Sequence, residues 1–240
     1  MLRTTSMLVD QDILVDCGTG VADLSIDELA RIDHVFLTHS HLDHVACLPL
    51  LVDTVGEMRN RPLTVHSLPA TEEALRTHVF NWTIWPDFTE IPSADRAWLR
   101  FRPLEIGTPV DLAGRTILPL PVDHTVPAVA FGIDSGRASL VFSGDTGPSP
   151  ALWQAVNAID NLAVLIIETA FSDREHKVAQ ASRHLCPDML VGELRQLLSC
   201  PDIYITHLKP GQAEQTMAEI ASSAGSYRPR MLKNNQVFEL

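Results

Sequence analysis

The fold is decided by the stretch Thr38-His39-Ser40-His41-Leu42-Asp43-His44. It places three imidazoles and one carboxylate within six residues, directly after the apolar run Val35-Phe36-Leu37. That run predicts a short buried strand, so the cluster is expected where a strand ends and a loop begins. Residues two apart in an extended chain point the same way, and His39 and His41 are therefore expected to face one side together.

Asp43 and His44 are expected to open a helix that continues through Val45–Val55. Neighbouring residues on a first helical turn diverge by about 100°, so this pair can serve a different point in space from the two preceding histidines. Imidazole and carboxylate are ligands of zinc-like ions, whose open positions permit hydrolytic chemistry. The chain has ten histidines, and an isolated one is usually a satisfied polar residue. Four ligand-type residues in six positions instead indicate a metal site, with one pair for each of two ions, because buried unpaired polar groups are costly.

Composition places limits on the class of protein. A chain of 240 residues with 45% hydrophobic and 20% charged residues predicts one globular domain over residues 1–240. The net charge of −12 argues against a nucleic-acid or anionic-membrane partner, which would require a basic surface. The four cysteines form no close-spaced pair, which favours the cytoplasm. We recognise no signal-peptide pattern and no apolar run of membrane-spanning length.

Further ligand-type residues follow predicted strands later in the chain. His124 comes after the strand Thr116–Val122, and Asp145 lies on a Gly-flanked turn after the strand Ser139–Phe142. The two oxygens of a carboxylate can bind two ions at once, whereas one imidazole nitrogen cannot. The alternative for Asp145 is a turn-forming Asp-Thr-Gly sequence without a ligand.

Two more candidates follow the last predicted strands of the chain. Glu168 ends the continuous apolar run Leu162–Ile167, which is typical of a strand buried on both faces. His207 follows the predicted strand Asp202–Thr206. His184 is the exception, because it precedes a predicted helix, and from the residues alone it could be a helix-capping or surface histidine.

Candidate substrate contacts are Trp82, Trp85 and Lys209. The two tryptophans lie in the aromatic-rich segment Phe80–Phe88. A packing cluster is the simpler interpretation, since aromatic side chains dominate core burial; the alternative is a pocket wall on which a base could stack. Lys209 could neutralise a phosphate oxygen, although an exposed loop lysine is usually solvated.

The pattern His-x-His-x-Asp-His, from His39 to His44, resembles the signature of the metallo-β-lactamase superfamily. With Leu42 and an apolar residue after His44, it most resembles the class II 3′,5′-cyclic-nucleotide phosphodiesterases, and His207-Leu208-Lys209-Pro210 is similar to another of their patterns. Cys47 departs from the usual Gly or Ser of that signature. The resemblance covers nearly the whole chain and implies an α+β fold, a four-layer αββα sandwich of two facing mixed sheets with outer helices and the site at one rim. Compared with those relatives, the first N-terminal strand is expected to be missing.

The resemblance also implies the ligand sets of two divalent ions. Zinc suits these ligand types, and manganese or iron are alternatives. The implied sets are His39, His41 and His124 for the first ion, Asp43, His44 and His207 for the second, and Asp145 as the bridge.

In such a site two cations roughly 3.5–4 Å apart lower the pKa of a shared water, and the resulting hydroxide attacks phosphorus. Asp43 is expected to orient the attack, and His184, oriented by Glu168, is expected to protonate the leaving oxygen. The predicted activity is hydrolysis of a small phosphodiester, first of all cyclic AMP or cyclic GMP to the 5′-monophosphate.

Three other functions remain open. A tRNase Z-like nuclease shares the order of Glu168 and His184, but the negative charge disfavours an RNA partner. Another hydrolase of the same fold, such as a lactamase, is a further alternative, although many lactamases use a cysteine where this chain offers Asp145. A non-catalytic metal-binding protein is the alternative of another class. Relatives are commonly dimers, which leaves a homodimer open.

Overall fold

The computed structural model of the chain describes residues 3–240. They form two compact units, Arg3–Leu104 and Glu105–Leu240, and each unit contains one mixed β-sheet with helices. The α+β class with two mixed sheets is therefore confirmed. The single domain over residues 1–240 stays a prediction.

The first unit contains five strands and four α-helices. Its strands are paired in chain order, with β1 antiparallel to β2 and the remaining neighbours parallel. The strands are β1 (Met7–Val9), β2 (Ile13–Val15), β3 (His34–Phe36), β4 (Leu63–Ser67) and β5 (Leu99–Pro103). The helices are α1 (Ile26–Arg31), α2 (Leu42–Val45), α3 (Leu48–Val55) and α4 (Pro69–His78).

Local sequence explains several of these elements. The apolar runs Ser6–Val9 and Ile13–Val15, separated by Asp10-Gln11-Asp12, predict a hairpin, and it forms with Met7 opposite Val15. Ser25 caps α1 through a capping box with Glu28, which satisfies backbone N–H groups that the first helical turn leaves without partners. The apolar residues of β2 and β3 are buried, and Leu14 and Val35 belong to one core with residues of α3. Burial of this kind stabilises a unit by about 25 cal/mol per Å² of apolar surface.

Two expectations for the first unit are corrected. The helix predicted over Val45–Val55 is broken, because the Cys47 N–H donates to the Cys17 carbonyl instead of continuing α2. Pro49 then lies in the first turn of α3, where its missing N–H costs nothing. The alternating pattern of Trp98–Arg102 predicts a strand of a second sheet, but β5 pairs with β4 in the first sheet.

The second unit contains seven strands and four α-helices. The sheet order is β12-β11-β10-β9-β8-β7-β6. The strands are β6 (Val110–Leu112), β7 (Arg115–Pro121), β8 (Val129–Asp134), β9 (Ser139–Phe142), β10 (Leu162–Glu168), β11 (Asp202–Thr206) and β12 (Arg230–Met231). The helices are α5 (Pro150–Val156), α6 (His176–Ser182), α7 (Pro187–Leu194) and α8 (Ala213–Ala224).

Strand direction sets the position of the loops in this unit. Strands β9, β10, β11 and β12 run parallel, and β7 runs the same way because two antiparallel steps separate it from β9. The carboxyl ends of β7, β9, β10 and β11 therefore lie along one edge of the sheet. Ligands bind characteristically at this edge in open sheets of parallel strands.

The structure of the second unit also corrects the prediction for the C-terminal residues. The sequence of residues 236–240 predicts a closing strand, but these residues are irregular, and the short strand β12 lies at the sheet edge instead. Helix α6 was not predicted. Among residues 3–240, no helix combines the length and apolarity needed to cross a lipid bilayer.

Candidate metal centre

The first unit carries four candidate donors in the loop after β3 and in α2. The rings of His39 and His41 lie with centroids 4.6 Å apart, and each offers a nitrogen within 4.8 Å of the other. Asp43 Oδ2 lies 3.7 Å from His44 Nε2. The predicted placement of the cluster at the end of a strand is thus confirmed, and the donors of each predicted pair are neighbours.

A buried hydrogen-bond network fixes two of these rings. Asp16 is fully buried at the end of β2, with a left-handed φ of 57°. Its carboxylate accepts bonds from the Thr38 N–H at 2.8 Å and the Thr38 hydroxyl at 2.9 Å, and it lies 2.6 Å from His44 Nδ1. The Thr38 oxygen is also 3.0 Å from His39 Nδ1. Because Nδ1 of both rings faces this network, Nε2 is the atom that each would offer to a metal.

Gly18 supports the same loop by close backbone approach. A Cβ atom at this position would lie 2.2 Å from the Asp43 carbonyl oxygen and 2.6 Å from the Thr5 carbonyl oxygen. Only a residue without a side chain fits between these backbone segments.

Cys17, next to Asp16, is a different kind of residue. Burial raises the pKa of its thiol well above the usual range, with smaller contributions from Cys47 and Asp16. A thiol ligates metals as the thiolate, so burial disfavours Cys17 as a ligand.

In the second unit, one carboxylate connects three of the loops at the carboxyl edge. Glu168 is fully buried. Its Oε1 accepts from the Thr146 N–H at 3.0 Å and lies 2.6 Å from His184 Nδ1. Its Oε2 accepts from the N–H groups of Ala170 at 3.0 Å and Leu185 at 3.3 Å. Thus Glu168 holds His184 beside the loop that contains Asp145.

The remaining second-unit donors lie close to that pair. Asp145, Glu168 and His184 each offer an atom within 4.8 Å of the others. Asp145 Oδ2 is 3.3 Å from His207 Nε2, and Asp145 also offers an atom within 4.8 Å of one from His124. The His184 ring lies between those of His124 and His207, at centroid distances of 5.0 and 5.1 Å.

The predicted substrate contacts have different surroundings. Trp82 is 61% exposed, whereas Trp85 is partly buried and packs against the first-unit core. The packing interpretation therefore holds for Trp85. In the second unit, Lys209 Nζ lies 5.1 Å from the centre of the Phe171 ring, and that ring contacts His184 edge-on.

The donors suit a divalent metal such as zinc. The donor residues have imidazole and carboxylate side chains. Nδ1 faces a hydroxyl in His39, a carboxylate in His44 and a backbone carbonyl in His124. Partners of this kind fix the tautomer of metal-binding histidines. Two supporting residues were not predicted. Thr38 precedes the cluster, so its role could have been suspected from its position. Arg183, whose carbonyl oxygen lies 3.1 Å from His124 Nδ1, gives no signal in the sequence.

Two mixed sheets, followed by loops with histidine and aspartate clusters that could hold a metal ion, define the class as an α+β protein with a candidate metal site. The chain belongs to the β-lactamase superfamily: a family model described as a beta-lactamase superfamily domain matches residues 11–225.

Curated relatives include phosphodiesterases and nucleases. The chain is 26% identical over 207 residues to a probable 3′,5′-cyclic-nucleotide phosphodiesterase of Yersinia pestis, covering 75% of this chain and 57% of the relative. It is 31% identical over 179 residues to a ribonuclease Z of Mycobacterium bovis, covering 65% of this chain and 60% of the relative. The chain thus spans less than two thirds of the length of either relative.

Solved structures show the same fold. The metallo-β-lactamase fold protein YhfI from Bacillus subtilis aligns with a TM-score of 0.75 and 18% identity over 98% of this chain and 91% of that one. Unliganded yeast PDE1 aligns with a TM-score of 0.74 and 21% identity, over 87% of this chain and 69% of that one. The resemblance to the superfamily and to cyclic-nucleotide phosphodiesterases is confirmed.

Proposed function

We propose that the chain is a metal-dependent phosphodiesterase that hydrolyses a small phosphodiester, with 3′,5′-cyclic nucleotides as the first substrate class. In this proposal His39, His41 and His124 hold one ion, Asp43, His44 and His207 hold a second, and Asp145 is shared. Zinc is the metal that we would test first.

The observation that carries the proposal is the buried pair of Glu168 and His184 beside Asp145. The donor sets above would already hold two ions, so a metal-binding protein without catalysis does not need a further histidine that is held by a buried carboxylate at 2.6 Å and lies within reach of Asp145. This is the arrangement of a proton donor oriented by an acid. The match to a probable cyclic-nucleotide phosphodiesterase supports the choice of substrate.

The residues of this chain have distinct tasks in the reaction. When bound, a pair of divalent ions activates water and neutralises charge on the phosphoryl oxygens. Asp43 orients the attacking group. Glu168 Oε1 accepts the Nδ1–H of His184, so a proton for the leaving 3′-oxygen is delivered from Nε2 of that ring. Lys209 provides a positive charge near the phosphate, because it lies over the Phe171 ring that contacts His184.

A ribonuclease Z-like activity is the second candidate. It is favoured by the 31% identity to the Mycobacterium bovis enzyme. Affinity for a long RNA depends on lysine and arginine contacts to phosphates, and the net charge of −12 opposes it. A small diester avoids this repulsion.

The test is hydrolysis of cyclic AMP, cyclic GMP and bis(p-nitrophenyl) phosphate by zinc-loaded protein. We expect turnover of a cyclic nucleotide and of the chromogenic diester. His184→Asn is expected to lower kcat by about 10²–10⁴-fold, the usual contribution of a general acid. His176→Asn is the matched control, since His176 begins α6 at the surface, and it should leave kcat unchanged.

Two results would reject the proposal. Absence of hydrolysis by metal-loaded protein would favour a non-catalytic metal-binding function. Cleavage of a precursor tRNA with no turnover of small diesters would favour the nuclease.

A further inference from the structure

Arg183 adopts a backbone conformation that is unusual for its residue type. It ends α6 with φ 51° and ψ 54°, in the left-handed region that favours glycine, and it directly precedes His184. A side chain in this region is disfavoured unless its surroundings compensate. The contacts of Arg183 supply that compensation.

The guanidinium of Arg183 is bonded to the loop that follows β7. Its Nη1 donates to the carbonyl of His124 at 2.7 Å and to Asp123 Oδ1 at 3.0 Å. The ion pair between Arg183 and Asp123 is half exposed and contributes little to stability by itself. The bond to the His124 carbonyl fixes the backbone of a candidate metal ligand.

The main chain of Arg183 reaches the same histidine from the other side. His124 Nδ1 lies 3.1 Å from the Arg183 carbonyl oxygen, which can only accept. The bond therefore selects the His124 tautomer with hydrogen on Nδ1 and leaves the Nε2 lone pair for a metal. The direction of this carbonyl follows from the left-handed backbone at Arg183.

Gly147 connects this pair of segments to the Asp145 loop. Its N–H donates to the Asp123 carbonyl at 2.8 Å, and a Cβ at Gly147 would lie 3.3 Å from the Arg183 Cα. The segments that carry His124, Asp145 and His184 thus meet at Arg183.

We propose that Arg183 is a positioning residue that sets the tautomer and orientation of His124 as a metal ligand. The inference rests on the proposed function, because it assigns a role within the same metal centre. Arg183 contacts neither substrate nor metal in this account. It acts through His124, and through its chain neighbour His184.

The test compares Arg183→Asn with Arg228→Asn. Asparagine tolerates the left-handed conformation, so the first variant removes the guanidinium without forcing the backbone to change. Arg228 is an exposed arginine with φ 52°. Its variant therefore has the same change in charge and requires the same left-handed conformation, but at a position outside the candidate site. Arg183→Lys, which keeps one donor group, measures partial rescue.

Two readouts are needed. The first is ¹⁵N NMR of the His124 ring in metal-free protein, at a pH where the ring is neutral. The second is zinc affinity, measured by competition with a chromogenic chelator. In Arg183→Asn the guanidinium no longer ties this segment to the His124 carbonyl, so the Arg183 carbonyl is held less firmly against His124 Nδ1. We therefore expect a weaker bias toward the Nδ1–H tautomer and about tenfold weaker zinc binding, as is usual when the hydrogen-bond partner of a metal-binding histidine is perturbed. Arg228→Asn should match the wild type, and Arg183→Lys should be intermediate.

The inference is overturned if either readout for Arg183→Asn equals that of Arg228→Asn. The tautomer is measured without metal or substrate, so it does not depend on the proposed activity. A protein that binds zinc but hydrolyses no diester would reject the phosphodiesterase function while leaving the role of Arg183 testable.

Discussion

The two units carry their candidate donors in different ways. In the first unit the donors lie in one short segment, His39–His44, directly after β3. In the second unit they come from the loops after β7, β9 and β11, and a buried carboxylate at the end of β10 holds the histidine that follows α6. The first set is therefore local in sequence, whereas the second exists only when the sheet is formed. A substitution in the first donor set should therefore have a local effect on the structure, whereas a substitution in the second set should affect several loops.

The largest expected effect comes from Glu168→Gln. The amide places a donor where the carboxylate accepts four hydrogen bonds, so at least one buried N–H loses its acceptor. We expect the free energy of unfolding to fall by about 3 kcal/mol, since buried bonds to charged groups are the strong ones. Urea unfolding measures this. The exposed Glu105→Gln is the control and should change stability by less than about 0.5 kcal/mol. An equal, small effect in both variants would contradict the central role of Glu168.

Gly18→Ala tests the first unit in the same way. The new Cβ would lie 2.2 Å from the Asp43 carbonyl oxygen, so backbone must move. We expect a loss of about 2 kcal/mol, as for other overpacked sites. Gly192→Ala is the matched control, because Gly192 lies within α7 and a Cβ added there would meet nothing within 4 Å. Alanine there should stabilise the chain by about 0.5–1 kcal/mol. Urea midpoints of the two variants that shift in the same direction would contradict this account.

The effect that is smallest when taken per pH unit concerns His66, a buried residue of β4 that stacks on Phe36. Burial, followed by His34 and the charge of Arg102, lowers the pKa of His66 from 6.5 to about 3. The unfolded chain therefore binds more protons between these values. The contribution of His66 to stability is complete above about pH 6.5 and is lost as the pH falls toward 3, with a slope of at most about 1.4 kcal/mol per pH unit.

Denaturant unfolding between pH 4 and 7.5 measures that slope. In His66→Gln the unfolding free energy should fall less steeply at acid pH, by the slope that corresponds to one proton taken up on unfolding. Substitution of the exposed His78 in His78→Gln should leave this slope unchanged. Profiles of the same slope in His66→Gln and wild type would refute the assignment to His66.

The difference between features that are local in sequence and features that depend on the folded sheet explains what could be predicted from the sequence. The cluster from His39 to His44 and the strands Ile13–Val15 and Asp202–Thr206 were predicted because hydrophobic pattern and ligand spacing are local signals. The break between α2 and α3 depends on a hydrogen bond from Cys47 to Cys17, and the sheet partner of Leu99–Pro103 depends on long-range pairing. Arg183 was missed because its role follows from a left-handed backbone that the residue type does not indicate.

The central claim is the proposed assignment of His41 and His124 to the same metal ion, and metal stoichiometry tests it most directly. Zinc bound per chain would be measured in wild type, His41→Asn, His124→Asn and the double variant. Both histidines are assigned to the same ion, so we predict two ions in wild type and one in each single variant, with one still bound in the double variant. If each unit held its own ion, the double variant would lose both, and that result would contradict the account.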